Sequence, residues 1–228
     1  MARVTKSVIG KLKGSVGDLT FRQRNGKAIV ATRPDSINAP DDDDSINRRL
    51  KFRFLTKLAS SIISIDALKS IWAANVKEGN TAFNQVVADN YAGVTVDSIT
   101  DQTIITPAFG FGVGITSAAV TASGIQVVTE AIGTTAGIDL DGEKTVQLGA
   151  ILSLSNPVDK SVPDYYVIPL ASAAQALKLD TALTFAASLS NQEALVFPKY
   201  TVRKTIYALL TLDDGGNAIH HSITMLIS

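Results

Sequence analysis

Leu19-Thr20-Phe21-Arg22-Gln23-Arg24 alternates apolar and polar positions, and a second short run, Lys27 to Thr32, follows the dipeptide Asn25-Gly26. Asn-Gly between two such runs predicts a β-hairpin, because a type I′ turn needs positive φ at both central residues. Gly10, Gly14 and Gly17 punctuate the residues before it, so 1–39 reads as an extended arm. A lone hairpin is marginal in water, so this one is expected to pair with the protein's own body or with a neighbouring subunit.

The period then changes from two to nearly four. From Ser45 to about Ser60, Ile46, Leu50, Phe54 and Leu58 recur every fourth residue, with Leu55 and Ile62 extending the stripe. Arg48, Arg49, Arg53 and Lys57 lie mostly off that face, which predicts a helix with one apolar and one basic side. The aspartates Asp41 to Asp44 precede it, and Asp43 or Asp44 is expected to cap its positive N-terminal end. A second helix is expected after Asp66, through Ala67, Leu68, Ile71 and Trp72 to about Val76, with Trp72 in the core. A third follows Asn80, with Phe83, Val86 and Val87 inward before Tyr91. Residues 40–92 thus form a helical segment.

From about Gly93 the pattern becomes that of short strands divided by Gly, Pro, Asn and Asp: 103–106, 115–121, 125–129, 146–153, 165–170, 182–188, 199–212 and 218–227. About eight strands at this spacing predict an antiparallel, immunoglobulin-like or related β-sandwich over 93–228. Its clearest part is a long C-terminal hairpin. Tyr200, Val202, Ile206, Ala208, Leu210 and Leu212 share one face, and Asp213-Asp214-Gly215-Gly216-Asn217 turns the chain into a closing strand. Residues 171–179 have a helical pattern and read as a short crossover helix. The fold class is therefore α+β, mainly β, with an N-terminal hairpin arm and two or three short helices.

Charge sharpens this picture. The 228 residues carry 21 Lys and Arg against 21 Asp and Glu, but 1–57 hold 13 basic and 6 acidic side chains and 58–228 hold 8 and 15. A +7 segment joined to a −7 segment favours attraction within a subunit or head-to-tail between subunits. The absence of Cys removes disulfides and thiolate metal sites. The N-terminus lacks the apolar run of about 7–15 residues found in a secretion signal, and no apolar stretch approaches the roughly 20 residues needed to span a bilayer. Neither export nor membrane insertion is expected.

Candidate chemistry is sparse. His220 and His221, adjacent in a strand, point to opposite faces and suit one solvent-facing and one core-edge histidine better than a shared metal. Gly110-Phe111-Gly112-Val113-Gly114 lacks the spacing and the Lys-Ser/Thr of a phosphate loop and reads as a flexible β-connection. Asp139-Leu140-Asp141-Gly142-Glu143 suits a turn more than a Ca²⁺ loop, and the Asp41–Asp44 run suits the start of a helix more than one. No nucleophile elbow or catalytic Cys is present, so no catalytic residue, cofactor or metal ligand is assigned.

The run Gly10-Lys11-Leu12-Lys13-Gly14-Ser15-Val16-Gly17-Asp18-Leu19-Thr20-Phe21, then Arg24-Asn25-Gly26-Lys27, Arg33-Pro34 and an Arg-rich helix, resembles the start of an uncharacterised family found in Bacteroidota genomes and their tailed phages. Leu152-Ser153-Leu154-Ser155-Asn156-Pro157 and the final hairpin resemble its second half. The resemblance implies an arm joined to a C-terminal immunoglobulin-like β-domain and carries no activity, since none is established for the family. The usual Pro-x-Thr-x-x-Gln before the helix is replaced here by Pro40 and the aspartates, as suits a distant, viral member.

These readings converge on a non-enzymatic structural protein of a tailed-phage virion, in the capsid, neck or tail, present in the host cytoplasm during assembly. It is expected to form a homo-oligomer and to contact other virion proteins through Leu19, Phe21, Arg22, Arg24, Asn25 and Gly26 of the arm and Arg48, Arg49 and Arg53 of the helix. Two alternatives remain. The basic helix, with Lys51, suits a nucleic-acid-binding module, although the pI is near 6.7. The sandwich loops suit a carbohydrate-binding or adhesive module, although exposed aromatic platforms are scarce.

Overall fold

In the computed structural model, residues 2–4, 13–24, 27–33, 35–36 and 40–227 are described. The chain divides into two compact units, Met1–Ile46 and Asn47–Ser228. The first is a four-stranded antiparallel sheet of β1 (Ala2–Val4), β2 (Gly14–Val16), β3 (Leu19–Arg24) and β4 (Lys27–Thr32), in the order β1-β4-β3-β2. The predicted hairpin is β3–β4, paired from Leu19↔Thr32 to Arg24↔Lys27; its turn residues, Asn25 and Gly26, lie outside the described residues. Its flanking partners come from the arm itself: Gly14–Val16 pair one side and Ala2–Val4 the other.

Helix α1 (Asp43–Ile63) begins at the end of this unit and continues into the second. Its cap is Asp42, one residue earlier than expected: the Asp42 Oδ1 accepts from Ser45 N–H at 2.8 Å, so Asp43 and Asp44 fall inside the first turn. The buried stripe is Phe54, Leu55, Leu58, Ala59 and Ile62, whereas Ile46 and Leu50, expected to belong to it, are exposed. The apolar repeat outlasts the surface that covers it.

The second unit has three layers. α1, α2 (Asp66–Ala74) and α3 (Ala82–Asn90) cover one face of a six-stranded antiparallel sheet. A three-stranded sheet of β5 (Ile115–Thr121), β6 (Gly124–Thr129) and β10 (Thr184–Ser188), in the order β10-β6-β5, covers the other. The central pair of the large sheet is β7 (Thr145–Pro157) and β11 (Tyr200–Leu212), joined over almost their whole lengths from Tyr200↔Pro157 to Leu212↔Thr145. β8 (Tyr165–Ala171) and β9 (Gln175–Ala176) pair the outer side of β7, while β12 (Ala218–His221) and β13 (Met225–Ile227) pair that of β11.

Because both faces of the sheet's centre are covered, residues 148–152 of β7 and 206–210 of β11 are buried and almost entirely apolar. Ile151, Ile206, Ala208, Leu210 and Leu212 pack with the helices, and Val146, Leu148, Ala150, Leu152, Leu154, Tyr207 and Leu209 with the small sheet. Tyr200, expected on the face of Ile206 to Leu212, instead joins the small-sheet side, where its hydroxyl donates to Pro163 O at 2.8 Å. The molecule is thus α+β and mainly β, with two stacked antiparallel sheets and a helical layer outside them.

Four further features depart from the sequence reading. Residues 171–179 form no helix: Gln175 and Ala176 pair with Val146 and Thr145. The final strand is split, because residues 222–224 leave the ladder; Ser222 N–H still reaches Leu209 O at 2.8 Å, and the Thr224 hydroxyl accepts from Ile105 N–H. Residues 103–106 join no strand ladder and are held by that contact and by Trp72 Nε1, which donates to Ile105 O at 2.7 Å. A fourth helix, α4 (Asn191–Val196), starts at a capping box of Ser190 and Glu193.

Candidate functional site

Two surfaces concentrate polar and apolar groups in ways the cores do not explain. The first is the arm sheet. Its register puts Val16, Leu19, Phe21, Ala28 and Val30, with Gln23 and Thr32, on one mainly apolar face, and Ser15, Thr20, Arg22, Ile29 and Ala31 on the other. Val16 is 69% and Leu19 43% exposed, and no described apolar side chain of the unit is buried. The opposite face carries a hollow of about 610 Å³ lined by Arg22, Arg33 and Asp35 among others. A folded sheet whose apolar face is only partly covered is a surface for association.

Of the residues expected to mediate assembly, Leu19 and Phe21 therefore share the apolar face and Arg22 takes the polar one. Arg24 closes the ladder against Lys27. Arg48, Arg49 and Arg53 stand exposed on α1, in the second unit from Asn47 onward. Arg49, Arg53 and Lys57 follow one another every four residues, but Arg48 is turned about 100° away, and Lys51 lies 5.0 Å over the Tyr91 ring. The basic residues of α1 do not form one patch.

The second surface lies in the body, around His220. Glu143 is 1% exposed, and its carboxylate accepts from Asp139 N–H at 2.9 Å, from the Thr211 hydroxyl and from His220 Nδ1 at 2.9 Å. Asp139 in turn accepts from Asp141 N–H at 3.0 Å, so the expected turn at 139–143 is built from its own carboxylates. His220 is half exposed, as expected of a solvent-facing residue. His221 donates from Nδ1 to Ser222 O at 3.1 Å, and burial pushes its pKa below the usual histidine range. Both histidines border one cavity of about 510 Å³ together with Asn75, Phe109, Phe111 and Gly133. The 110–114 connection forms part of this cavity: Phe111 N–H donates to His221 O and Ile223 N–H to Phe111 O, each at 3.0 Å.

Sequence reading missed the Glu143–His220 pair, since 77 residues separate its members and no local pattern joins them. Among the described residues, no three Asp, Glu or His groups converge to hold a metal, and no helix is long and apolar enough to cross a membrane. No known protein family, curated protein or solved structure matches the chain.

Proposed function

We propose that this chain is a non-enzymatic structural protein of a tailed-phage virion that assembles with copies of itself, and with other virion proteins, through its N-terminal arm. The observation that carries the reading is the four-stranded arm sheet: it has a continuous backbone ladder and an apolar face of Val16, Leu19, Phe21, Ala28 and Val30, yet no described apolar side chain in it is buried. Such a sheet gains stability by covering that face with a partner. The charge division supports a second copy as that partner, because the arm and first helix bring +7 to a remainder of −7. The resemblance of residues 10–34 and 152–157 to a phage-associated family supports the virion, reached through the host cytoplasm.

Light scattering and negative-stain imaging of the full chain and of a variant lacking residues 1–39 test this. The full chain is expected to form rings, tubes or other large oligomers that weaken as salt rises, and the shortened chain to remain a monomer. Unchanged stoichiometry without the arm would sink the proposal.

A further inference from the structure

The loop above the His220 cavity presents an aromatic ring at a cost to stability. Phe109 has φ 76°, in the left-handed region that bulky side chains avoid, and its side chain is fully solvent-exposed. The loop is nevertheless fixed. Gly110 leaves no room for a side chain, since a Cβ there would lie 2.4 Å from the Ser222 carbonyl carbon, and Phe111 is bonded on both sides to the diverted chain at 221–223. A rigid mount for an uncovered ring at a cavity edge fits a contact with something outside the chain.

The polar groups of the cavity narrow what that is. His220 is oriented by the buried Glu143, which occupies Nδ1 and leaves Nε2 as the ring's remaining polar atom. His221 is likewise held at Nδ1, by Ser222 O. Asn75 donates from Nδ2 to Ile71 O at 2.9 Å, which leaves its Oδ1 as an acceptor. The lining contains no Lys, Arg, Asp or Glu, and the Glu143 carboxylate behind His220 already has three donors. A charged ligand would find no counter-charge, and a wholly apolar one would leave the imidazole and amide atoms unpaired.

We propose that this cavity binds a neutral saccharide, one ring lying with its C–H face on Phe109 while its hydroxyls bond His220 Nε2 and Asn75 Oδ1. The volume, about 510 Å³, suits a ligand of one to three sugar rings. The proposal is independent of arm-mediated assembly, because every group it uses belongs to the second unit.

The test is saturation-transfer NMR and calorimetry on the full chain with maltotriose, chitotriose, galactobiose, mannobiose and rhamnose. At least one is expected to bind with a Kd at or below the millimolar range, and Phe109→Ala to weaken it at least about tenfold with the fold intact. Phe109→Gly is expected to lose binding equally while melting no lower than the parent, because glycine accepts the positive φ. No binding by any of the five at about 10 mM, where a millimolar site is mostly filled, would overturn the proposal. Binding indifferent to Phe109→Ala would do the same, as would displacement of the sugar by benzoate or inorganic phosphate.

Discussion

Tyr207 sits in the middle of β11 with its hydroxyl buried and, among the described residues, without a hydrogen-bond partner; burial raises its pKa to about 12. Leaving a buried donor unpaired costs more than deleting it, so Tyr207→Phe is expected to raise unfolding free energy by about 1 kcal/mol in urea titrations. A loss of similar size would reveal a partner for the hydroxyl. His221 makes the opposite kind of statement through pH. Its folded pKa is depressed below the ordinary 6.5, so the unfolded chain binds more protons as pH falls through that value. Its contribution to stability is complete above about pH 6.5 and declines below it, down to the folded pKa. A His221→Gln chain is therefore expected to show a flatter stability profile as pH falls below about 6.5, measured by thermal melts.

At the scale of elements, α1 separates core from repeat. Leu58 is fully buried and Phe52 is 52% exposed, so Leu58→Ala is expected to cost about 2–4 kcal/mol and Phe52→Ala under about 1 kcal/mol. Equal losses in chemical denaturation would mean that Phe52 is covered. The same helix shows how far periodicity reaches. Three helices and the long C-terminal strands were legible because their apolar spacing matches what covers them, and β3–β4 because Asn25-Gly26 sits between alternating runs. The spacing of Ile46 and Leu50 is as regular as that of Leu58, but whether a surface lies opposite is a tertiary fact. Residues 171–179 show the same override in reverse: their helix-forming Ala and Leu yield to the open edge of β7 at Val146. α4 did have a signal, the Ser190-x-x-Glu193 box, but it opens only a single short turn-and-a-half. The cavity was legible only in parts. His220, His221 and the glycine loop were visible individually, while Glu143 joins them from 77 residues away.

For the whole molecule, the division at Ile46/Asn47 points to a self-sufficient body, since among the described residues both apolar clusters draw on residues from Phe54 onward. A chain lacking residues 1–39 is expected to melt within about 2 °C of the parent's main transition under conditions where neither assembles, as followed by circular dichroism. A large drop would show that the arm contributes to the body's stability. The two-sided strands β7 and β11 also constrain how the chain comes off the ribosome. Phe54, Leu58 and Ile62 share one apolar cluster with Ile151, Val167, Ile206 and Leu210, so the surface the first helix needs is complete only about 150 residues after the helix is made. At about 5–20 residues per second, that is a wait of roughly 8–30 s with an apolar stripe exposed in the nascent chain. Aggregation during synthesis, rather than instability of the finished fold, is the hazard this architecture carries, and slower translation lengthens it.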